Sequence, residues 1–236
     1  MERILSVRKR ESLTAHPLYL ITDRTRFGET QSGEEAFLDH VAACLDGGVR
    51  LVQYREPRIV SDRKVLALSQ TLRALTHEFG ARLILAERVD VARAVQADGV
   101  HLGPEDLEVQ ASRRVLGHEF IIGLSVHTQA QAEWARTQEV DYLTAGPVFA
   151  SEMVPGQPPV GMKLLQWMQA ECPFPWFAAG GIDFTSVTTL LEQQINRVAL
   201  TRCLMAARSP KEETAAMIRQ LSASGEASLP TKSSPH

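Results

Sequence analysis

Cysteine is scarce in this chain. Only Cys44, Cys172 and Cys203 occur in 236 residues, and none stands at CxxC spacing. Three cannot all pair internally, so a disulfide framework is excluded, and buried thiols in a reducing compartment are expected. No stretch of about 18 apolar residues appears, so no membrane-spanning helix is expected. Residues 1–16 (MERILSVRKRESLTAH) are basic but lack the apolar core of a signal peptide. A cytoplasmic location follows as an expectation. Lys and Arg number 25 against 28 Asp and Glu, a net charge of -3, and they are scattered rather than clustered. Nothing in that balance invites nucleic acid or an anionic membrane surface.

Short apolar runs alternate with longer amphipathic stretches. Strands are expected at Leu18–Thr22, Val49–Tyr54, Arg82–Ala86, Gly99–Leu102, Phe120–Ser125, Tyr142–Ala145, Trp176–Ala179 and Arg197–Leu200. They are rich in Val, Ile and Leu and lack strict alternation, as suits strands buried on both faces of a parallel sheet. Glu34–Gly47 carries Phe37, Leu38, Val41, Ala42 and Leu45 at helical spacing, and Ser61–Glu78 carries Val65, Leu66, Leu68, Leu72 and Leu75. Leu164–Gln169 and Ser186–Gln193 follow the same pattern. Eight strand–helix units imply right-handed crossovers and a single α/β domain, a (β/α)8 TIM barrel. An open doubly wound sheet is the alternative. The boundaries drawn are a loosely ordered segment over 1–16, a barrel over 17–221 and a disordered Ser/Pro-rich tail over 222–236.

In a barrel, function sits on the loops that follow the strands. Gly180-Gly181 ends strand seven, where paired glycines either let backbone N–H groups approach a phosphate or make a tight turn. Arg202 follows strand eight and either shares that phosphate or forms a surface ion pair. His127, after strand five, is a candidate for moving protons near neutral pH, or else a structural histidine. Ser125 is placed to contact substrate or cap a helix. His101 lies within strand four and is expected to fill the barrel interior. Glu87 and Asp106 end strands three and four; they either hold Mg2+ or pair with Arg88, Arg55 or Arg58. The loop Phe149–Gly161 is either a lid hinged at Gly156 or a rigid Pro-rich connector.

The segments LYLITDR, GGVRLVQYRE, LILAERVDVARAVQADGVHLGPEDL, IIGLSVHT, DYLTAGPVF and AAGGI occur in the order and spacing of the thiamine phosphate synthase/TenI superfamily, which residues 17–205 resemble. The resemblance implies a TIM barrel, a homo-oligomer and a small-molecule partner carrying a thiazole phosphate. It also implies one of two activities. The synthase joins hydroxymethylpyrimidine diphosphate to thiazole phosphate with Mg2+; the TenI-type tautomerase shifts a proton to give the aromatic thiazole carboxylate phosphate without a cofactor.

Several synthase positions depart from the pattern. Pro57 stands where the synthase has lysine, Ala86-Glu87 where it has Asn-Asp, and Ser151-Glu152-Met153-Val154 where it has a Thr-rich stretch ending in lysine. The synthase's serine near Arg202 is not matched either. Charge-assisted contacts of this kind contribute about 1.5–3 kcal/mol each. Ser125-Val126-His127 resembles the histidine motif of the tautomerase, and Pro158-Pro159-Val160-Gly161 its loop ending, although a TenI-type loop usually retains a lysine. Gly180-Gly181 is shared by both branches, and Asp106 retains the synthase's metal carboxylate. By the resemblance, His127 is catalytic. Gln53, Arg55, Ser125 and Ser151 bind substrate. Gly180, Gly181 and Arg202 hold phosphate. Glu87 and Asp106 bind metal only in a synthase. The expected function is a thiazole tautomerase. The alternatives are a synthase and a non-catalytic thiazole or thiamine phosphate-binding regulator.

Overall fold

A computed structural model describes residues 9, 11–56, 58, 60–151 and 156–226 of the chain. Eight short strands form its centre: β1 (Leu18–Ile21), β2 (Leu51–Tyr54), β3 (Arg82–Ala86), β4 (Gly99–Leu102), β5 (Ile121–Val126), β6 (Tyr142–Ala145), β7 (Trp176–Ala179) and β8 (Val198–Leu200). Each pairs in parallel with the next, and β8 pairs in parallel with β1, so the sheet closes into a barrel. The strands expected from sequence match these to within two residues at either end.

Closure explains why the strands read as continuous apolar runs. Along β1, Leu18 and Leu20 pack outward with residues of the helical layer, while Tyr19 points into the barrel. Tyr19 meets Leu51, Ile84, Ile121, Tyr142, Phe177 and Ala199 there, each contributed by a different strand. Both faces are buried, so no polar alternation survives in the sequence. Leu13, 1% exposed and in the helical residues 11–14, joins this interior cluster. That part of the 1–16 segment is therefore packed, and residues 1–8 and 10 lie outside the described residues.

Two of the long helices start where side chains satisfy orphan N–H groups of the first turn. Thr30 accepts from Gly33 N at the start of α1 (Gln31–Asp46), and Ser61 accepts from Lys64 N at the start of α2 (Asp62–Glu78). Next come α3 (Val89–Val95), α4 (Val109–Leu116), α5 (Gln129–Ala135), α6 (Gly161–Glu171), α7 (Val187–Glu192), α8 (Arg202–Met205) and α9 (Pro210–Glu226). The apolar face read in α1 is buried through Phe37, Val41 and Leu45. The last helix continues through Glu226, beyond the boundary drawn at 221, and carries buried Met217 and Leu221; residues 227–236 lie outside the described residues. None of the three cysteines is in a disulfide; Cys44 is buried and the other two are half-buried. Among the described residues no helix is long and apolar enough to cross a membrane.

Candidate functional site

A cavity of about 550 Å³ opens at the C-terminal ends of the strands. Gln53, Arg55, Ser125, His127, Ser151, Gly180, Gly181 and Arg202 all line it. They come from the ends of β2, β5, β7 and β8 and from the loop after β6. Residues as far apart as 53 and 202 meet because closure places every strand end on one rim.

The turn after β7 admits only glycine. Gly180 has φ +88° and Gly181 φ +70°, a region in which L side chains are strained. A Cβ on Gly180 would lie 2.6 Å from Pro147 Cβ, and one on Gly181 2.6 Å from the carbonyl oxygen of Ala150. The tight turn and the close approach of backbone to the cavity are thus one feature. Arg202, the first residue of α8, stands on the same wall. Asp183 also borders it, but its carboxylate accepts N–H groups from Thr185 and Ser186. Those hydrogen bonds, led by the one from Ser186, hold its pKa below the ordinary value.

His127 is fixed from two sides. Its backbone N–H donates to Gln131 Oε1 at 2.7 Å, and Thr128 caps α5 by accepting from Gln131 N. The ring nitrogen Nδ1 is hydrogen-bonded to the carbonyl oxygen of Gly146. A carbonyl only accepts, so Nδ1 carries the proton and, in the neutral ring, Nε2 keeps a free lone pair. That is the form a general base needs.

The cavity floor is polar and continues into the barrel. Tyr19 Oη donates to Gln53 Oε1 at 2.9 Å and lies 2.8 Å from Tyr142 Oη. His101 Nδ1 lies 3.0 Å from Tyr142 Oη, and its Nε2 lies 2.9 Å from Ser125 Oγ and 3.2 Å from Thr144 Oγ1. His101 fills the interior as its strand position suggested, and it also borders the cavity. Burial depresses its pKa to about 3, so the ring is neutral. Tyr19, Tyr142 and Thr144 were not singled out from sequence. The available signal was a hydroxyl-bearing residue inside an otherwise apolar strand, which needs a partner when buried.

Glu87 and Asp106 are not brought into the mouth cavity. Glu87, at φ +66°, lines a separate cavity of about 320 Å³ with Tyr54, Glu56, Arg58 and Arg88. Asp106 turns back to accept Gly103 N–H at 2.6 Å. Two of the three arginines read as their partners are engaged elsewhere, Arg88 with Asp62 and Asp90, and Arg58 with Glu56 and Glu29. Among the described residues no group of three or more His, Cys, Asp or Glu is arranged to hold a metal. Glu87 and Asp106 line no common cavity. Of the loop over 149–161, Ala150, Ser151 and Gln157 line the mouth, and residues 152–155 lie outside the described residues.

Against known proteins, residues 18–204 match the thiamine monophosphate synthase (TMP-TENI) family. The chain belongs to the thiamine monophosphate synthase family. Thiamine-phosphate synthase of Nostoc punctiforme is 36% identical over 210 residues, covering 89% of this chain and 60% of that protein. The chain thus spans about 60% of the length of that relative. A putative thiamine-phosphate synthase of Geobacter sulfurreducens is 39% identical, over 86% of this chain and 93% of that one. The solved structure of thiamine phosphate pyrophosphorylase from Pyrococcus furiosus superposes with a TM-score of 0.78 at 30% identity, covering 92% of this chain and all of that chain. Membership of the thiamine monophosphate synthase family accounts for the closed barrel.

Proposed function

We propose that this protein is a thiamine-biosynthesis enzyme that binds a thiazole phosphate and moves a proton on it, as a thiazole tautomerase does. The observation that carries this reading is the Nδ1–H bond from His127 to Gly146, which leaves Nε2 as a base at the cavity wall. Gly180, Gly181 and Arg202 hold the phosphate, and Gln53, Arg55, Ser125 and Ser151 surround the carboxylate and ring. Nε2 takes a proton from a carbon of the non-aromatic isomer. The bonding pair shifts through the ring system, and the imidazole returns the proton at the other end of the shifted pair. No group departs and nothing is oxidised. The chemistry asks for one positioned acid–base group, worth about 10²–10⁴ in rate.

A second reading, thiamine phosphate synthase, is favoured by the names of the relatives. It requires diphosphate departure, with Mg2+ supplied for it. Pro57 and Ala86 stand at two positions where the family pattern puts a lysine and an asparagine, and Glu87 and Asp106 do not line the mouth. Two assays on the purified chain separate the readings. One follows conversion of the non-aromatic thiazole carboxylate phosphate to its aromatic isomer. The other measures diphosphate release from hydroxymethylpyrimidine diphosphate and thiazole phosphate with Mg2+. Isomer conversion without diphosphate release is expected. Diphosphate release at a useful rate without isomer conversion overturns the tautomerase.

A further inference from the structure

The barrel interior joins two walls of the mouth through an unbroken file of hydrogen bonds. It runs from Gln53 to Tyr19, Tyr142 and His101, and ends at Ser125 and Thr144. Gln53, His101, Ser125 and Thr144 border the cavity, whereas Tyr19 and Tyr142 are fully buried beneath it. The file depends on one missing atom. Gly123 of β5 sits opposite Tyr142 of β6, and a Cβ there would come within 2.1 Å of Tyr142 Cζ.

Each link in the file has one hydrogen to give. The Gln53 amide oxygen only accepts, so Tyr19 directs its hydrogen to it. Tyr19 oxygen is then an acceptor, and Tyr142 directs its hydrogen there. Tyr142 oxygen in turn needs a donor, which is His101 Nδ1–H. A neutral ring has only that one hydrogen, so Nε2 accepts, and of the two hydroxyls facing it Ser125 Oγ at 2.9 Å is nearer than Thr144 Oγ1 at 3.2 Å. Desolvation keeps the ring neutral, which removes the cation that would break this order. The opposite order needs the Gln53 amide turned to present its NH2 to Tyr19, with every other bond reversed as well. A mixture of the two leaves buried lone pairs facing each other.

We propose that Tyr19, Tyr142 and His101 form a proton-ordered relay that sets Gln53 as a hydrogen-bond donor and Ser125 as an acceptor toward the ligand. With Oε1 held by Tyr19, Gln53 offers the cavity its NH2. With its hydrogen on His101, Ser125 offers lone pairs. A ligand must then present an acceptor, such as a carboxylate or a ring nitrogen, to one wall and a donor to the other. The three relay residues are positioning residues for the binding site, and their role rests on the thiazole phosphate reading only for the identity of the ligand.

The test is ¹⁵N NMR of the histidine rings in the unmutated chain, with His101 assigned from its loss in His101→Asn. The Nδ1–H tautomer is expected between pH 6 and 8 at Nε2 unprotonated; an Nε2–H tautomer or a titrating ring overturns the relay. Tyr142→Phe cuts the file at its centre. It is expected to mix the His101 tautomers and to weaken binding of thiazole carboxylate phosphate about tenfold. Unchanged affinity in a folded Tyr142→Phe protein also overturns it. If the unmutated chain binds no thiazole phosphate, the functional reading fails while the tautomer measurement still decides the relay.

Discussion

His127 and Gly146 are joined across neighbouring strands: the imidazole Nδ1–H of the first donates to the backbone carbonyl of the second, at the foot of the loop after β6. The acceptor is a carbonyl, so the bond fixes the tautomer as well as the ring's position. A backbone partner cannot be mutated away, so the base itself is the place to intervene.

His127→Asn is expected to lower kcat for isomer conversion by about 10²–10⁴. Affinity for thiazole phosphate should stay within a factor of two or so of the parent, because phosphate and ring contacts lie elsewhere. Steady-state kinetics with calorimetric titration checks both halves. Full activity in the variant removes His127 from the mechanism.

Gly180→Ala places a side chain at φ +88° and 2.6 Å from Pro147 Cβ. Left-handed strain and the clash with the β6 loop act together, at a cost above about 1 kcal/mol. Phosphate affinity should fall with stability, since the same turn shapes the cavity wall. Urea unfolding and titration with thiazole phosphate measure the two effects separately.

Stability should fall on acidification through His101. Burial lowers its pKa in the folded chain to about 3, whereas an unfolded histidine has its ordinary value near 6.5. Between those values the unfolded chain binds a proton that the folded chain refuses. The contribution is therefore complete above about pH 6.5 and is lost as pH falls toward 3, by up to about 1.4 kcal/mol per pH unit. Urea midpoints from pH 7 to 4 should show this slope, and His101→Asn should flatten it. An equal slope in both proteins assigns the acid sensitivity to other groups.

Arg24 and Glu56 form a nearly dry ion pair, Nε to Oε2 at 2.6 Å, with side chains 1% and 6% exposed. Arg24 Nη1 is buried with no hydrogen-bond partner among the described residues. Glu56→Gln strands the guanidinium and should destabilise the chain by about 3–5 kcal/mol. Replacing both, as Arg24→Met with Glu56→Leu, should cost markedly less, because no charge is left buried alone. Denaturant unfolding of the two variants gives the comparison.

The eight strand–helix units were legible in the chain because a strand buried on both faces must be apolar throughout, and a helix covering it must be apolar on one stripe. Leu83, Ile84 and Leu85 announce β3 whatever surrounds them. Residues at strand ends were legible too: Gln53, Ser125, His127 and Gly180 all reach the mouth. Glu87 and Asp106 stand at strand ends just as plainly, yet one faces a neighbouring cavity and the other closes its own loop. Order along the chain places a residue on the rim, but backbone angles at the strand end decide where its side chain goes. The Tyr19–Tyr142–His101 file belongs wholly to tertiary structure. Its members lie 123 and 41 positions apart, and only closure of the sheet, with room left by Gly123, puts their polar atoms within 3 Å or so of one another.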